Sequence, residues 1–393
     1  MAATVSRGIR APIIRQGDDI VKIVADSIEE ARKDDGFTLS DGDVVAVTEA
    51  VVARADGNYA SVDDIAADVR AKTDGKTVGL LFPILSRNRF AICLKGIARG
   101  CEKIVLVLSY PSDEVGNHLV SEDALDDAGV NPFSDVLTAE KFREIFGETR
   151  HTFTGVDYVQ YYTELIEGEG CEAQVIFANH AEAVLKYTDV VLCCDIHTRE
   201  RTARRLRSCG AKTVLTLCDI LSAPVNGSGY NPTYGLLGSN KATETTVKLF
   251  PKNAQETAEK ISAVLSEKYG VRIEAMVYGD GAFKDPVGKI WELADPVVGA
   301  GATEGLSGLP NELKLKFLAD NDFADLSGEE LKAAIKERIR QKSGSLKGKM
   351  ASEGTTPRRL TDHIGSLCDL TSGSGDKGTP IVLVQNYFKN YAD

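Results

Sequence analysis

The chain has 393 residues, 43% of them hydrophobic and 26% charged, with a formal net charge of −12. That balance suits a soluble protein of roughly two or three domains. No run of about 18 apolar residues is present, which excludes a helix crossing a membrane. The acidic total excludes the basic overall surface usual in nucleic-acid binders.

The start of the chain carries Arg7 and Arg10 but no continuous apolar run, so it reads as mature protein, not a signal peptide. Gly17-Asp18-Asp19 precedes Ile20, Val21, Ile23, Val24 and Ile28, apolar at helical spacing, and the Asp residues suit the first turn of that helix. Gly42-Asp43 opens a short buried strand, Val44 to Val47, which Ala50 to Ala53 is expected to continue or pair with. Asp56-Gly57 marks a turn, and Ser61 with Asp64 has the spacing of a capping box at a helix start.

From about residue 100 the texture changes. Lys103 to Leu108 reads as a strand, and a polar, acid-rich stretch follows to about residue 155. Gln174 to Phe177 and Asp189 to Cys194 read as strands, Thr198 to Ser208 as a helix, and Lys212 to Leu217 as a strand. Strand, helix and strand with short links make a βαβ unit, so residues 100–235 are expected to form an α/β module with a parallel sheet. Its basic run, Arg199 to Arg207, suits the solvated face of one helix.

Beyond it, Asn253 and Glu256 start a helix that ends at Gly270, and a strand from Val271 to Val277 runs into Tyr278-Gly279-Asp280-Gly281. Ser327 and Glu330 cap another helix. Lys342 to Thr356 reads as an exposed link. Asp362 to Leu370, a glycine-rich turn and a strand from Ile381 to Val384 close the chain.

The eight cysteines include no C-x-x-C pair and sit mostly in or beside apolar runs, where a free thiol acts as a small hydrophobe. Without a leader, this points to a reducing cytoplasm.

Three places could carry chemistry. Asp280 lies between two glycines after a strand, where an open α/β sheet places ligands and a carboxylate can hold a divalent cation against a phosphate. The alternative is a turn Asp bonded to its own backbone. In the stretch from Thr371 to Gly378, Gly373, Ser374, Gly375, Asp376, Lys377 and Gly378 combine small residues, whose N–H groups can face an anion, with a hydroxyl and a cation. It lacks Walker A spacing, so a surface turn is the competing reading. Asp195 and His197, after the Asp189–Cys194 stretch and near Asp219 if the sheet is parallel, could bind a metal, act as acid and base, or hold a structural or surface role. Neither a G-x-S-x-G elbow nor a strand running into G-x-G-x-x-G occurs, which removes the serine-hydrolase and Rossmann-dehydrogenase readings.

The segment Arg10-Ala11-Pro12-Ile13-Ile14 to Asp19, followed by Asp41-Gly42-Asp43 to Gly57, resembles the opening of the F-420-0:γ-glutamyl ligase family. The resemblance implies nucleotide contacts from Pro12, Ile13, Ile14, Glu49 and Arg54, where the family has a lysine at the position of Arg54. Tyr278-Gly279-Asp280-Gly281 resembles the family's metal-holding Asp-Thr pair, with Gly281 in place of Thr. Gly373 to Pro380 resembles its closing glycine-rich loop. Asn240 and Thr243 fall where the family has a further metal Asp and a nearby Asn. The expected fold is then α/β: a mixed α+β ligase core over residues 1–99 and 236–393, interrupted by the 100–235 module.

The resemblance further implies GTP, or ATP, as cosubstrate with Mn2+ or Mg2+, an acyl phosphate, L-glutamate, a small carboxylate acceptor such as F-420-0, and a homodimer. In that scheme Asp280 holds the metal with Gly281 and Asn240 beside it, Arg54 and Lys284 pair with phosphates, and the 373–378 loop supplies N–H donors. Asp280 and Lys284 are the catalytic candidates, and Glu49 and Asp362 are further acids. A phosphotransferase on the same scaffold and a non-catalytic nucleotide-binding regulator are the competing readings.

Overall fold

The computed structural model describes residues 3–152, 154–279, 282–284, 291–293, 299–353, 358–372 and 376–393, with 282–284 and 291–293 as backbone alone. The expected α/β class holds. Two larger sheets organise the described residues.

The first sheet has five strands in the order Val5–Ile9, Ile381–Gln385, Asp43–Thr48, Ile273–Tyr278 and Gly299–Ala302. Only Asp43–Thr48 and Ile273–Tyr278 run parallel; the other neighbours are antiparallel. Side chains alternate along a strand, so each contributes to two cores. Val45, Val47, Ala275 and Val277 face Val24 and Ile28 of the Ile20–Asp35 helix and Ile261 and Leu265 of the Ala254–Tyr269 helix. Val44, Ala46, Met276 and Tyr278 face Ile364 and Cys368 of the Leu360–Ser372 helix. Each such fully buried aliphatic side chain contributes about 1.5–3 kcal/mol relative to exposure.

Local signals define the helix ends. Asp19 caps the Ile20–Asp35 helix by accepting from the Lys22 N–H, and Gly36 closes it at φ 68°. Ser61 and Asp64 form the expected capping box. Ala50 to Ala53, expected as strand, lies in the Glu49–Ala55 helix. A short apolar run does not distinguish helix from strand by its period, and burial of Val52, Ala53 and Ala55 goes with the helix.

The second sheet has six strands in the order Leu137–Thr138, Glu172–Phe177, Lys103–Leu108, Thr77–Leu81, Val190–Cys193 and Thr213–Thr216. All pairs are parallel except the short Leu137–Thr138 edge. The chain enters at Thr77–Leu81, adds strands on one side, then returns to add Val190–Cys193 and Thr213–Thr216 on the other. This is a doubly wound order with its reversal between Leu81 and Cys193. The sheet therefore begins well before residue 100, and the expected module boundary at 99/100 falls inside it. The Phe90–Arg99 and Tyr158–Gly168 helices cover one face, and the Arg199–Ser208 helix covers the other.

The polar stretch after residue 108 holds two short helices, Glu122–Ala128 and Ala139–Phe146, which bury Leu125 and Phe142. The expected exposed link from Lys342 also departs from its reading. Leu346 is buried with Leu313, Leu318 and Ile335 in a separate small core beside the Gly328–Arg340 helix. Residues 354–356 of that link lie outside the described residues.

Candidate active site

In the five-stranded sheet, the parallel pair runs in register from Asp43 opposite Ile273 to Thr48 opposite Tyr278, so both strands end at the same edge. Several expected segments meet there. The Thr48 N–H donates to the Pro380 carbonyl at 3.0 Å, and Ala11 N–H donates to the Gly378 carbonyl at 3.1 Å. Gly17 N–H donates to the Ala55 carbonyl at 2.8 Å. The opening segment, the Glu49 helix and the closing turn are thus one neighbourhood at the C-terminal end of the parallel strands, where α/β sheets place ligands.

The expected residues take different positions within it. Pro12 is exposed, Ile13 is 82% exposed, and Ile14 is buried in the core. Ile14 therefore supports the fold, while Pro12 and Ile13 face solvent. Arg54 is exposed on the Glu49–Ala55 helix, and Asp376, Lys377 and Gly378 are exposed on the turn. Asp280, Gly281, Gly373, Ser374 and Gly375 lie outside the described residues. Lys284 is described by backbone alone, in a hairpin of Ala282–Lys284 with Trp291–Leu293.

Glu49 is the first residue of its helix, buried, and both its oxygens accept from Lys248 Nζ at 2.9 Å. Lys248 lies directly opposite Asn240 in a short antiparallel pair. Among the described residues, no group of three or more His, Cys, Asp and Glu side chains is placed to hold a metal ion. Arg89, in the link after Thr77–Leu81, feels the charges of Glu49 and Asp369, and burial pushes its guanidinium below its usual range. Burial also pushes the Tyr278 hydroxyl well up, so it is neutral at physiological pH.

Sequence reasoning missed Lys248 and Arg89. Lys248 lies 199 residues from Glu49 in the chain, and no local pattern marks either residue.

Asp195 and Asp219 follow the Val190–Cys193 and Thr213–Thr216 strands of the six-stranded sheet. Asp195 is buried and accepts from the Thr198 and Thr202 hydroxyls at 2.6 and 2.8 Å. Asp219 accepts from the Thr216 N–H and hydroxyl at 2.7 and 2.9 Å, a capping box. His197 is exposed, and its N–H donates to Glu114, which also accepts from the Ile196 N–H. Asp362 accepts from the Arg359 N–H at 3.3 Å. Asn58, beside the family-like Asp56-Gly57 step, is buried and ties Tyr230 to Phe250.

The sequence model of the F420-0:Gamma-glutamyl ligase family matches residues 8–386 in one span. This chain belongs to the F420-0:Gamma-glutamyl ligase family. The match runs across the doubly wound sheet as well as the five-stranded one. A coenzyme F420:L-glutamate ligase from Methanothermobacter thermautotrophicus is 32% identical over 82 residues, covering 20% of this chain and 31% of the relative. The matched segment thus spans about a third of that relative's length. All eight cysteines are free. Among the described residues, no helix is long and apolar enough to cross a membrane.

Proposed function

We propose that this protein is a nucleotide-dependent ligase that joins the amine of L-glutamate to a carboxylate on a small, cofactor-like acceptor. The observation that supports it best is the meeting of residues 11–17, 48–55 and 378–380 at the end of the parallel strand pair, in a chain whose family match covers both sheets.

In this reading the acceptor carboxylate oxygen attacks the terminal phosphorus of GTP or ATP. The P–O bond to the nucleoside diphosphate breaks, and an acyl phosphate forms. The glutamate amine then attacks the acyl carbon, inorganic phosphate leaves with the C–O bond's electron pair, and the nitrogen loses a proton. The chain's part is positioning and charge. Exposed Arg54 and Lys377 meet phosphate oxygens as charge-assisted donors, and Lys284 is proposed to do the same. The turn at 376–378 offers backbone N–H groups, and the exposed Pro12 and Ile13 cover the nucleotide's apolar face. Lys248 binds both Glu49 oxygens and keeps that side chain out of the reaction.

The described side chains form no metal-ligand set, so no step is drawn through a metal. Mn2+ or Mg2+ dependence, with Asp280 as its holder, belongs to the proposal and is read from titration. The test is calorimetric titration of the full chain with GTP, ATP and non-hydrolysable analogues, with and without Mn2+ or Mg2+. Metal-dependent micromolar binding, followed by an amide product with L-glutamate and F-420-0, is expected. A phosphate ester as product would make the protein a phosphotransferase, and absence of nucleotide binding would remove the ligase reading. Homodimerisation is part of the same proposal and is checked by light scattering.

A further inference from the structure

Two side chains tie the end of the Glu49–Ala55 helix to the start of the Ala254–Tyr269 helix. Asp56 follows the first helix and Asn253 precedes the second. Asn253 makes no side-chain cap to its own helix; its Nδ2 donates instead to Asp56 Oδ1 at 2.9 Å. The two oxygens left over, Asp56 Oδ2 and Asn253 Oδ1, are shielded from solvent and have no hydrogen-bond partner. Both are acceptors while Asp56 is ionised, and buried polar atoms are seldom left unpaired.

One proton supplies the missing donor. A protonated carboxyl offers an O–H donor beside its acceptor oxygen, and a side-chain amide offers N–H beside C=O. The two groups then match in a ring of two bonds: the Asn253 N–H to Asp56 Oδ1, already formed, and the Asp56 O–H to Asn253 Oδ1. Burial raises the Asp56 carboxyl pKa, against the Asn253 bond, which lowers it. The charges acting on it oppose one another, since Lys252 favours the ionised form and Glu256 favours the proton. Lys248, from the Thr246–Lys248 strand packed on the same helix, is held by Glu49 at that helix's other end. Arg54, on the helix itself, is exposed, and the opening segment presents the uncharged Gln16.

This pair sits where the proposed site is built, with Arg54 two residues before Asp56. The Gly57 N–H donates to the Arg54 carbonyl at 3.1 Å, and the Gly17 N–H donates to the Ala55 carbonyl at 2.8 Å. A Cβ at Gly57 would collide with the Gln16 side chain, so the opening segment lies directly against this turn. We infer that Asp56 holds a proton and, through a two-bond ring with Asn253, is a positioning residue that fixes the Arg54 end of the Glu49–Ala55 helix for the nucleotide. This role deepens the ligase reading above and rests on it; the ring itself does not. Above its titration midpoint Asp56 loses the proton, two acceptor oxygens face each other, and the helix end loosens. The ring's contribution is therefore present at low pH and lost as pH rises through that midpoint, and nucleotide affinity declines with it.

Carbon NMR of the full-length protein, labelled at its aspartate carboxyls, reads the titration, with Asp56→Asn assigning the signal. The Asp56 midpoint is expected above the ordinary 3.8. Asn253→Ala is expected to lower it by about one unit, a tenfold loss in proton affinity. Calorimetry measures binding of a non-hydrolysable GTP analogue across the same pH range. Asp56→Asn repeats both bonds with a neutral amide, so it is expected to bind as wild type does in acid and to lack the decline with pH. Asn253→Ala breaks the ring and is expected to weaken binding at acidic pH. Circular dichroism confirms that both variants fold. An Asp56 midpoint at or below 3.8 overturns the ring, and the same pH profile for wild type and Asp56→Asn overturns the positioning role. Absence of any nucleotide binding removes the ligase reading and that role with it, while the carboxyl midpoint still decides the ring.

Discussion

Lys248 Nζ lies 2.9 Å from both carboxylate oxygens of Glu49, and both residues are buried where the parallel strand pair ends. Such a pair is a weak source of net stability, because taking both charges out of water offsets much of their attraction. Removing one partner is another matter, since it strands the other charge. Lys248→Met is expected to cost about 3–5 kcal/mol, and the double variant Glu49→Leu with Lys248→Met to recover most of that loss. Guanidinium unfolding of the three proteins checks this. A double variant as unstable as the single one would show that Lys248 acts through its packing and not its charge.

Asn58 is a long-range tie. Its Nδ2 donates to the Phe250 carbonyl at 2.6 Å and to the Tyr230 carbonyl at 3.0 Å, while its Oδ1 accepts from the Tyr230 N–H at 3.0 Å. Asn58→Ala leaves the Tyr230 N–H and carbonyl without this partner, at about 1–3 kcal/mol each where water cannot enter, while the Phe250 carbonyl keeps the Asn231 Nδ2 donor at 3.2 Å. A fall in the unfolding midpoint is expected, together with faster amide exchange at Tyr230. Unchanged exchange there would mean that water replaces the side chain.

Burial raises the carboxyl pKa of Asp195 despite the Thr198 and Thr202 hydroxyls, and one of its oxygens has no partner. A carboxyl whose folded pKa lies above its unfolded value binds its proton more tightly when native. Its contribution to stability is therefore fully present below the unfolded pKa and declines as pH rises through the folded one. Asp195→Asn should flatten that decline. Denaturation midpoints of wild type and variant at acidic and neutral pH are expected to converge at the acid end, with the variant equal or more stable at neutral pH. A variant less stable at neutral pH would mean that the carboxylate is ionised and held by an unseen partner.

His151 shows the opposite sign. Its Nδ1 accepts from the Thr154 N–H at 3.2 Å, which leaves Nε2 to donate to Asn117 Oδ1 at 3.1 Å. Burial lowers its pKa below 6.5. Stability from this neutral ring is present above the unfolded pKa and is lost as pH falls from there through the lowered folded value. NMR titration of the ring protons should place its midpoint below 6.5. A midpoint above 6.5 would show the ring to be stabilised as a cation.

Asp280→Ala is expected to abolish metal-dependent nucleotide binding while leaving the unfolding free energy close to that of wild type, as for a residue that serves a ligand. Calorimetry with Mn2+ and GTP reads the first and denaturation the second. Unchanged binding would take Asp280 out of the site.

Much of the fold was legible from short-range pattern alone. The continuous apolar Val44 to Val47 run, the caps at Asp19 and Ser61, and the strand–helix–strand order after residue 100 each act within a few residues of themselves, so the sequence expresses them directly. The family resemblance likewise grouped the opening and closing segments, which the Ala11–Gly378 and Thr48–Pro380 bonds bring together. Long-range packing decided the rest. Ala50 to Ala53 carry no period that separates strand from helix, and burial settles them as helix. The parallel sheet begins at Thr77 because that strand pairs with Lys103–Leu108 and Val190–Cys193, which no composition shift marks. Glu49 meets Lys248, and Asp56 meets Asn253, only after the chain returns across the sheet. Such partners are chosen by three-dimensional proximity and desolvation, neither of which is encoded at any fixed spacing along the chain.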